Sequence, residues 1–123
     1  MALPRRIPKP TKRASRWRSQ AHCDFVRSHE CVVPGCTRRP IEVAHVRQGS
    51  GAGMGQKPDD WLTVSMCGKN IEGEGHHAES HRIGDQSFQK KYGLDLHRLA
   101  EEFAAQSPRK MQILQTIRER VNG

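Results

Sequence analysis

Three cysteines and a cluster of histidines set the tightest limit on what this chain can fold into. Cys31 and Cys36 bracket Val32-Val33-Pro34-Gly35, a short turn built from Pro and Gly that can bring two thiolates onto one ion, and Cys67 stands ahead of His76, His77 and His81. A structural zinc takes four N or S ligands in a tetrahedron, so three cysteines need one imidazole, which falls to His76 or His77. The expectation is His76, because it leaves His77 to work with His81 one helical turn away. Such a staple matters here: hydrophobic residues make up 34% and aromatics 5% of 123 residues, too thin an apolar supply to hold a small domain comfortably. Two disulfides are the other use for four cysteines, but no apolar run follows the N-terminal charges as in a secretion signal, so reduced, metal-binding thiols are expected. Cys23, inside the first expected helix, is assigned to core packing.

The net charge of +8 is unevenly spread. Residues 1 to 23 hold seven basic side chains (Arg5, Arg6, Lys9, Lys12, Arg13, Arg16 and Arg18) and no acid, leaving 14 basic against 13 acidic residues in the remainder. Pro4, Pro8 and Pro10 resist helix formation, so residues 1–14 read as an extended basic arm suited to a polyanion, with DNA as the expected partner. No stretch approaches the roughly 18 apolar residues needed to span a bilayer. The expectation is a soluble, non-secreted, cytoplasmic protein.

Periodicity after the arm points to an α+β fold. From Ser15, a candidate N-cap, Trp17, Ala21, Phe25 and Val26 form one stripe of a helix reaching about Ser28. Ile41, Val43 and His45 share one parity of a strand, residues 47–58 are Gly-rich, and Leu62, Val64 and Met66 alternate toward Cys67. A helix opens near His76, placing His77 and His81 on one face. Helical patterns continue through Phe88 and Tyr92, stop at Gly93 and restart at Asp95 with Leu96, Leu99 and Phe103. Ser107-Pro108 opens a last helix with Leu114, Ile117 and Val121 expected inward. The expected organisation is a basic arm (1–14), one domain (15–105) in which a zinc-stapled two-stranded hairpin plus helix is flanked by helices, and a C-terminal amphipathic helix (106–123).

With one imidazole given to zinc, His45, His77 and His81 remain. Two imidazoles at i and i+4 make a bidentate site for a divalent ion with open positions, and a strand histidine facing it gives the layout of a metal plus a general base. Three other motifs fail on inspection. His77-Ala78-Glu79 lacks the P-C-x-x-C that a zinc deaminase requires. The Glu79 spacing is not that of H-E-x-x-H, and Pro58 follows Lys57 where a P-loop needs a hydroxyl.

Cys31-x4-Cys36, the strand ending Ala44-His45, the Gly-rich loop running to Lys57-Pro58-Asp59-Asp60, Cys67 and His76-His77-x3-His81 together resemble the HNH endonucleases, the ββα-metal or His-Me finger group, and especially the small phage and prophage type. Val26-Arg27-Ser28 before the first cysteine, and Gly84-Asp85 with Phe88 and Tyr92-Gly93 after the last histidine, extend the resemblance over about residues 15 to 105. The resemblance implies a ββα-metal core, His45 as general base, His77 and His81 as ligands of the catalytic ion (Mg²⁺, Mn²⁺ or Zn²⁺), and His76 as last ligand of the structural Zn²⁺. The middle letter of the family name falls on Asp59 or Asp60, with Asp60 favoured because it has the parity of Leu62 and Val64. Two features depart from the pattern: an Asp in place of Asn, and a longer loop between Cys67 and His76. The implied reaction is phosphodiester hydrolysis leaving 5′-phosphate and 3′-hydroxyl ends in a bacterial or phage-infected cell. Arg47, Lys57 and the glycine amides of residues 49–55 are candidates for backbone phosphates. The alternative is a noncatalytic zinc-stabilised module that binds nucleic acid, which needs one ion where the nuclease needs two.

Overall fold

Two strands and five helices follow one another as α1 (Gln20–Arg27), β1 (Ile41–His45), β2 (Thr63–Cys67), α2 (Gly75–Ile83), α3 (Asp85–Tyr92), α4 (Leu96–Gln106) and α5 (Lys110–Asn122). This is a computed structural model, and it describes residues 16–48 and 57–122. The strands pair antiparallel, Ile41 opposite Cys67 and His45 opposite Thr63, and a bond from Val46 N–H to the Leu62 carbonyl continues the ribbon. A two-stranded ribbon cannot stand alone in water. Here α1, α2 and α4 all pack against it, α3 folds onto α2, and α5 onto α4. Every residue of β2 is buried, and Val64, Met66, Phe88, Leu96 and Ala100 form the centre of the core. The architecture is therefore α+β, as the periodicity implies. No helix among the described residues is long and apolar enough to cross a membrane.

Three local expectations need correction. The first helix is capped by Ser19, whose side chain accepts from His22 N–H, and it buries His22, Cys23 and Val26 rather than Ala21 and Phe25. Its start is delayed because residues 17–19 are drawn into extended pairing with residues 59–60. Trp17 N–H donates to Asp59 Oδ1 at 2.6 Å, Asp60 N–H to the Trp17 carbonyl at 2.9 Å, and Ser19 N–H to Asp60 Oδ2 at 2.8 Å. In β1 the strict alternation breaks, since Ile41 and Ala44 are buried while Val43 and His45 are intermediate. Strong twist in a two-stranded ribbon turns the end of the strand relative to its start. In α5 the inward residue is Ile113, whereas Leu114 is 44% and Val121 80% exposed. Ile117 is half-buried and Arg120, near the end of the helix, reaches buried Asp59, so α5 meets the body along its length while Leu114 and Val121 face outward.

The arm residues Arg5, Arg6, Lys9, Lys12 and Arg13, the Ser15 cap and the glycines of 49–55 lie outside the described residues.

Candidate metal cluster and histidine cleft

The loop after α1, the end of β2 and the first turn of α2 meet at one point. Gly35, at φ 78°, closes the turn that carries Cys31 and Cys36. Gly75, at φ 86°, lets α2 start directly against the end of β2, where a Cβ would lie 2.5 Å from the Cys67 carbonyl oxygen. The result brings Cys31, Cys36 and Cys67 Sγ and one His76 ring nitrogen within 4.8 Å of one another, a Cys₃His cluster that could hold a metal ion. His76 Nδ1 is 3.3 Å from Cys31 Sγ and 3.2 Å from Cys67 Sγ, and Cys36 and Cys67 Sγ are 3.9 Å apart. The fourth position thus goes to His76 rather than His77. Burial pushes the Cys31 thiol up to about 12 and holds the His76 imidazole below its ordinary value. Behind the cluster, the His76 ring lies edge-on to Tyr92, with centroids 5.1 Å apart. The Tyr92 hydroxyl and Lys91 ammonium both donate to buried Glu79. Burial alone would raise Glu79; these two donors outweigh it and keep its carboxyl below the usual range.

An open cleft of about 800 Å³ is lined by Arg18, Glu42, His45, Lys57, His77 and His81, among others. His45 Nε2 lies 2.9 Å from Asp60 Oδ1. An ionised carboxylate only accepts, so the His45 proton sits on Nε2 and Nδ1 is the basic nitrogen. Burial lowers the His45 imidazole below its ordinary value, against the upward pull of Asp60 and with help from Lys57 and Arg18. Asp60 is buried, which would raise it, but the bonds from His45 and Ser19 N–H prevail and hold it below the usual carboxylate range. Arg18 closes this side by donating to the carbonyls of Pro58 and Lys57, and its guanidinium stands 3.6 Å from Asp60.

Of the two aspartates, the structure brings only Asp60 to His45. Asp59 is 1% exposed and engaged by Trp17 N–H and by Arg16 and Arg120, which tie the N-terminal segment and α5 together. His77 and His81 face each other on α2 with Nε2 atoms 3.1 Å apart. Arg47 and exposed Lys57 stand at the cleft wall, and Arg47 N–H donates to Asp85 at 2.8 Å. Sequence reasoning missed Glu42, whose Oε1 lies 2.9 Å from His77 Nδ1. Alternation puts residue 42 on the face opposite residue 45, so no spacing signal could have joined them. It also missed Arg27 and Cys23, which line the same cleft.

The family profile described as "Protein of unknown function (DUF968)" matches residues 5–107. The chain belongs to the DUF968 family. No curated protein and no solved structure matches it. The DUF968 match takes in the metal cluster, the histidine cleft and most of the basic arm, and it ends at Ser107, ahead of α5.

Proposed function

We propose that this DUF968 chain is a metal-dependent DNA endonuclease of the HNH type, hydrolysing phosphodiester bonds with His45 as general base and a divalent ion on His77 and His81. The observation that carries this reading is the shared cleft: a half-buried histidine bonded to a buried aspartate and two converging imidazole nitrogens face one space. A strand bearing the base, a second strand and a helix bearing the ion pair follow in that order, which is the order of a ββα-metal core.

Zinc is the proposed occupant of the Cys₃His cluster. With Zn–S near 2.3 Å and Zn–N near 2.0–2.1 Å, a tetrahedron sets sulfurs about 3.8 Å apart and sulfur about 3.6 Å from nitrogen. The spacings of 3.9, 3.3 and 3.2 Å sit close to those values.

Asp60 holds the His45 tautomer, so Nδ1 is free to take a proton as water attacks phosphorus. The P–O3′ bond breaks as the new P–O bond forms, and the departing O3′ takes a proton from solvent, leaving 5′-phosphate and 3′-hydroxyl ends. His77 and His81 would hold the divalent ion, which would supply positive charge to offset the negative charge that grows at the reacting phosphate. Depression of the His45 pKa keeps the imidazole neutral at pH 7, the state a base needs. Arg47 and Lys57 offer donors to flanking phosphates, and the basic arm adds sequence-independent affinity. The proposed place of work is the cytoplasm of a bacterial or phage-infected cell.

Nicking of supercoiled plasmid tests the reading. After EDTA treatment, gel filtration and reloading with one equivalent of Zn²⁺, the protein should nick only when Mg²⁺, Mn²⁺ or further Zn²⁺ is added, and metal analysis should then find two ions per chain. One ion per chain, DNA binding and no nicking with any of the three would replace the nuclease by a noncatalytic zinc-stabilised binding module.

A further inference from the structure

Glu42 is the acidic residue in the histidine cleft that the proposed reaction does not use. Its carboxylate is half exposed, and its Oε1 lies 2.9 Å from His77 Nδ1. Because an ionised carboxylate has no proton to give, His77 must carry its proton on Nδ1 and present the lone pair of Nε2. That nitrogen faces His81 Nε2 at 3.1 Å, so the His81 N–H donates to it. The two nitrogens that would share an ion are thus already together.

A second observation, on a different element, points to the same carboxylate. Gly68 is buried just after β2, and a Cβ there would lie 2.6 Å from Glu42 Cδ and under 3 Å from both carboxylate oxygens. Gly68 is not among the glycines with positive φ, so its backbone makes no demand for glycine. The space that glycine leaves is the space in which the Glu42 carboxylate stands. The wall cannot easily shift: Gly68 N–H is bonded to the Pro40 carbonyl at 2.8 Å, and Gly75 at the start of α2 packs directly on the Gly68 backbone.

We infer that Glu42 is a positioning residue for the ion pair: it fixes the His77 tautomer and aims Nε2 beside that of His81, and Gly68, lacking a side chain, leaves the room in which its carboxylate stands. This rests on the proposal that His77 and His81 bind a divalent ion. A carboxylate behind a ligating imidazole raises its basicity and locks its orientation, and losing such a partner costs roughly 10- to 100-fold in metal affinity. His81, by contrast, is exposed. His77 is accordingly the fixed ligand of the pair and His81 the adjustable one.

The test uses the full zinc-loaded chain, with Co²⁺ titrated calorimetrically and the His77 tautomer read by long-range ¹H–¹⁵N NMR. In the parent, His77 should show the Nδ1–H form and one Co²⁺ should bind beyond zinc. Glu42→Ala should keep its zinc and its melting temperature, mix the two His77 tautomers and bind Co²⁺ roughly 10- to 100-fold more weakly. Glu42→Gln, whose amide oxygen can still accept from Nδ1–H, should lose less than Glu42→Ala. Gly68→Ala should weaken Co²⁺ binding too, and combining it with Glu42→Ala should cost little more than either alone, because both remove one interaction. If Gly68→Ala disturbs folding, the Glu42 variants decide alone. An Nε2–H form of His77 in the parent, or parent affinity in Glu42→Ala, overturns the inference. A parent with the Nδ1–H form that binds no Co²⁺ overturns the metal reading itself, and the role of Glu42 with it, and is told apart from failure of the Glu42 contact by the intact tautomer.

Discussion

Replacing Cys31 with serine should remove more stability than the fold can spare. Cys31 is 6% exposed and belongs to the central core, and with Cys36, Cys67 and His76 it joins the 31–36 loop, the end of β2 and the first turn of α2. Few other bonds hold that loop: Val32 N–H to the Ser65 carbonyl at 2.9 Å and Ser65 Oγ to the Glu30 carbonyl at 2.6 Å are the main ties to β2. Structural zinc contributes roughly 10–16 kcal/mol of apparent binding energy in small zinc domains, whereas a whole domain is stable by only about 5–15 kcal/mol. Losing even a third to a half of the zinc term, about 5 kcal/mol, lowers the melting temperature of a domain of this size by about 20 °C. Circular-dichroism melts with and without EDTA, together with zinc content from a chromophoric chelator, measure both consequences. Cys31→Ser should hold less than one zinc and melt far below the parent or without a cooperative transition, while Cys23→Ser, outside the cluster, should keep a full zinc. A Cys31→Ser chain with parental melting and a full zinc would refute the argument.

Asp59→Ala should lower stability by about 2 kcal/mol, because it leaves the half-buried Trp17 N–H without its carboxylate partner and removes the buried anion that Arg120 pairs with, yet cleavage per folded molecule should not change; lost rate at unchanged melting would put Asp59 in the chemistry. The acid limb of the cleavage profile should have its midpoint below the ordinary imidazole value of 6.5, since a depressed pKa keeps His45 neutral, and active, to lower pH; a midpoint at or above 7 in single-turnover assays would contradict this. Removing residues 1–14 takes away five basic side chains. DNA affinity should fall and its dependence on log salt flatten by roughly 0.9 per lost phosphate contact, and an unchanged slope would mean that the arm does not touch DNA.

The parts of the fold that were legible are those written in local chemistry. Cys31, Cys36, Cys67 and His76 come together as their spacing implies, because ligand residue types and the turn glycines are visible in the chain. Parity along 60, 62 and 64 favoured Asp60 over Asp59, and Asp60 is the partner of His45. What could not be read is what depends on contacts far apart in sequence. The start of α1 is set by Asp59 and Asp60, some forty residues on, and no cap rule contains them. The burial of Ile113 in place of its neighbour Leu114 depends on which face of α5 packs onto α4, a tertiary choice that the apolar pattern leaves open. Glu42 meets His77 across 35 residues of chain, and only the folded structure shows that Gly68 leaves room for that carboxylate.

The central claim is that His45 takes the proton from the attacking water while a separate pair of histidines holds the ion. Single-turnover plasmid cleavage by His45→Ala, with metal content measured on the same preparation, tests it most directly. The variant should fold, keep two ions per chain and bind DNA, while cleavage falls by roughly 10²- to 10⁴-fold, the range for a lost general base. A His45→Ala chain that cleaves as fast as the parent would contradict the account.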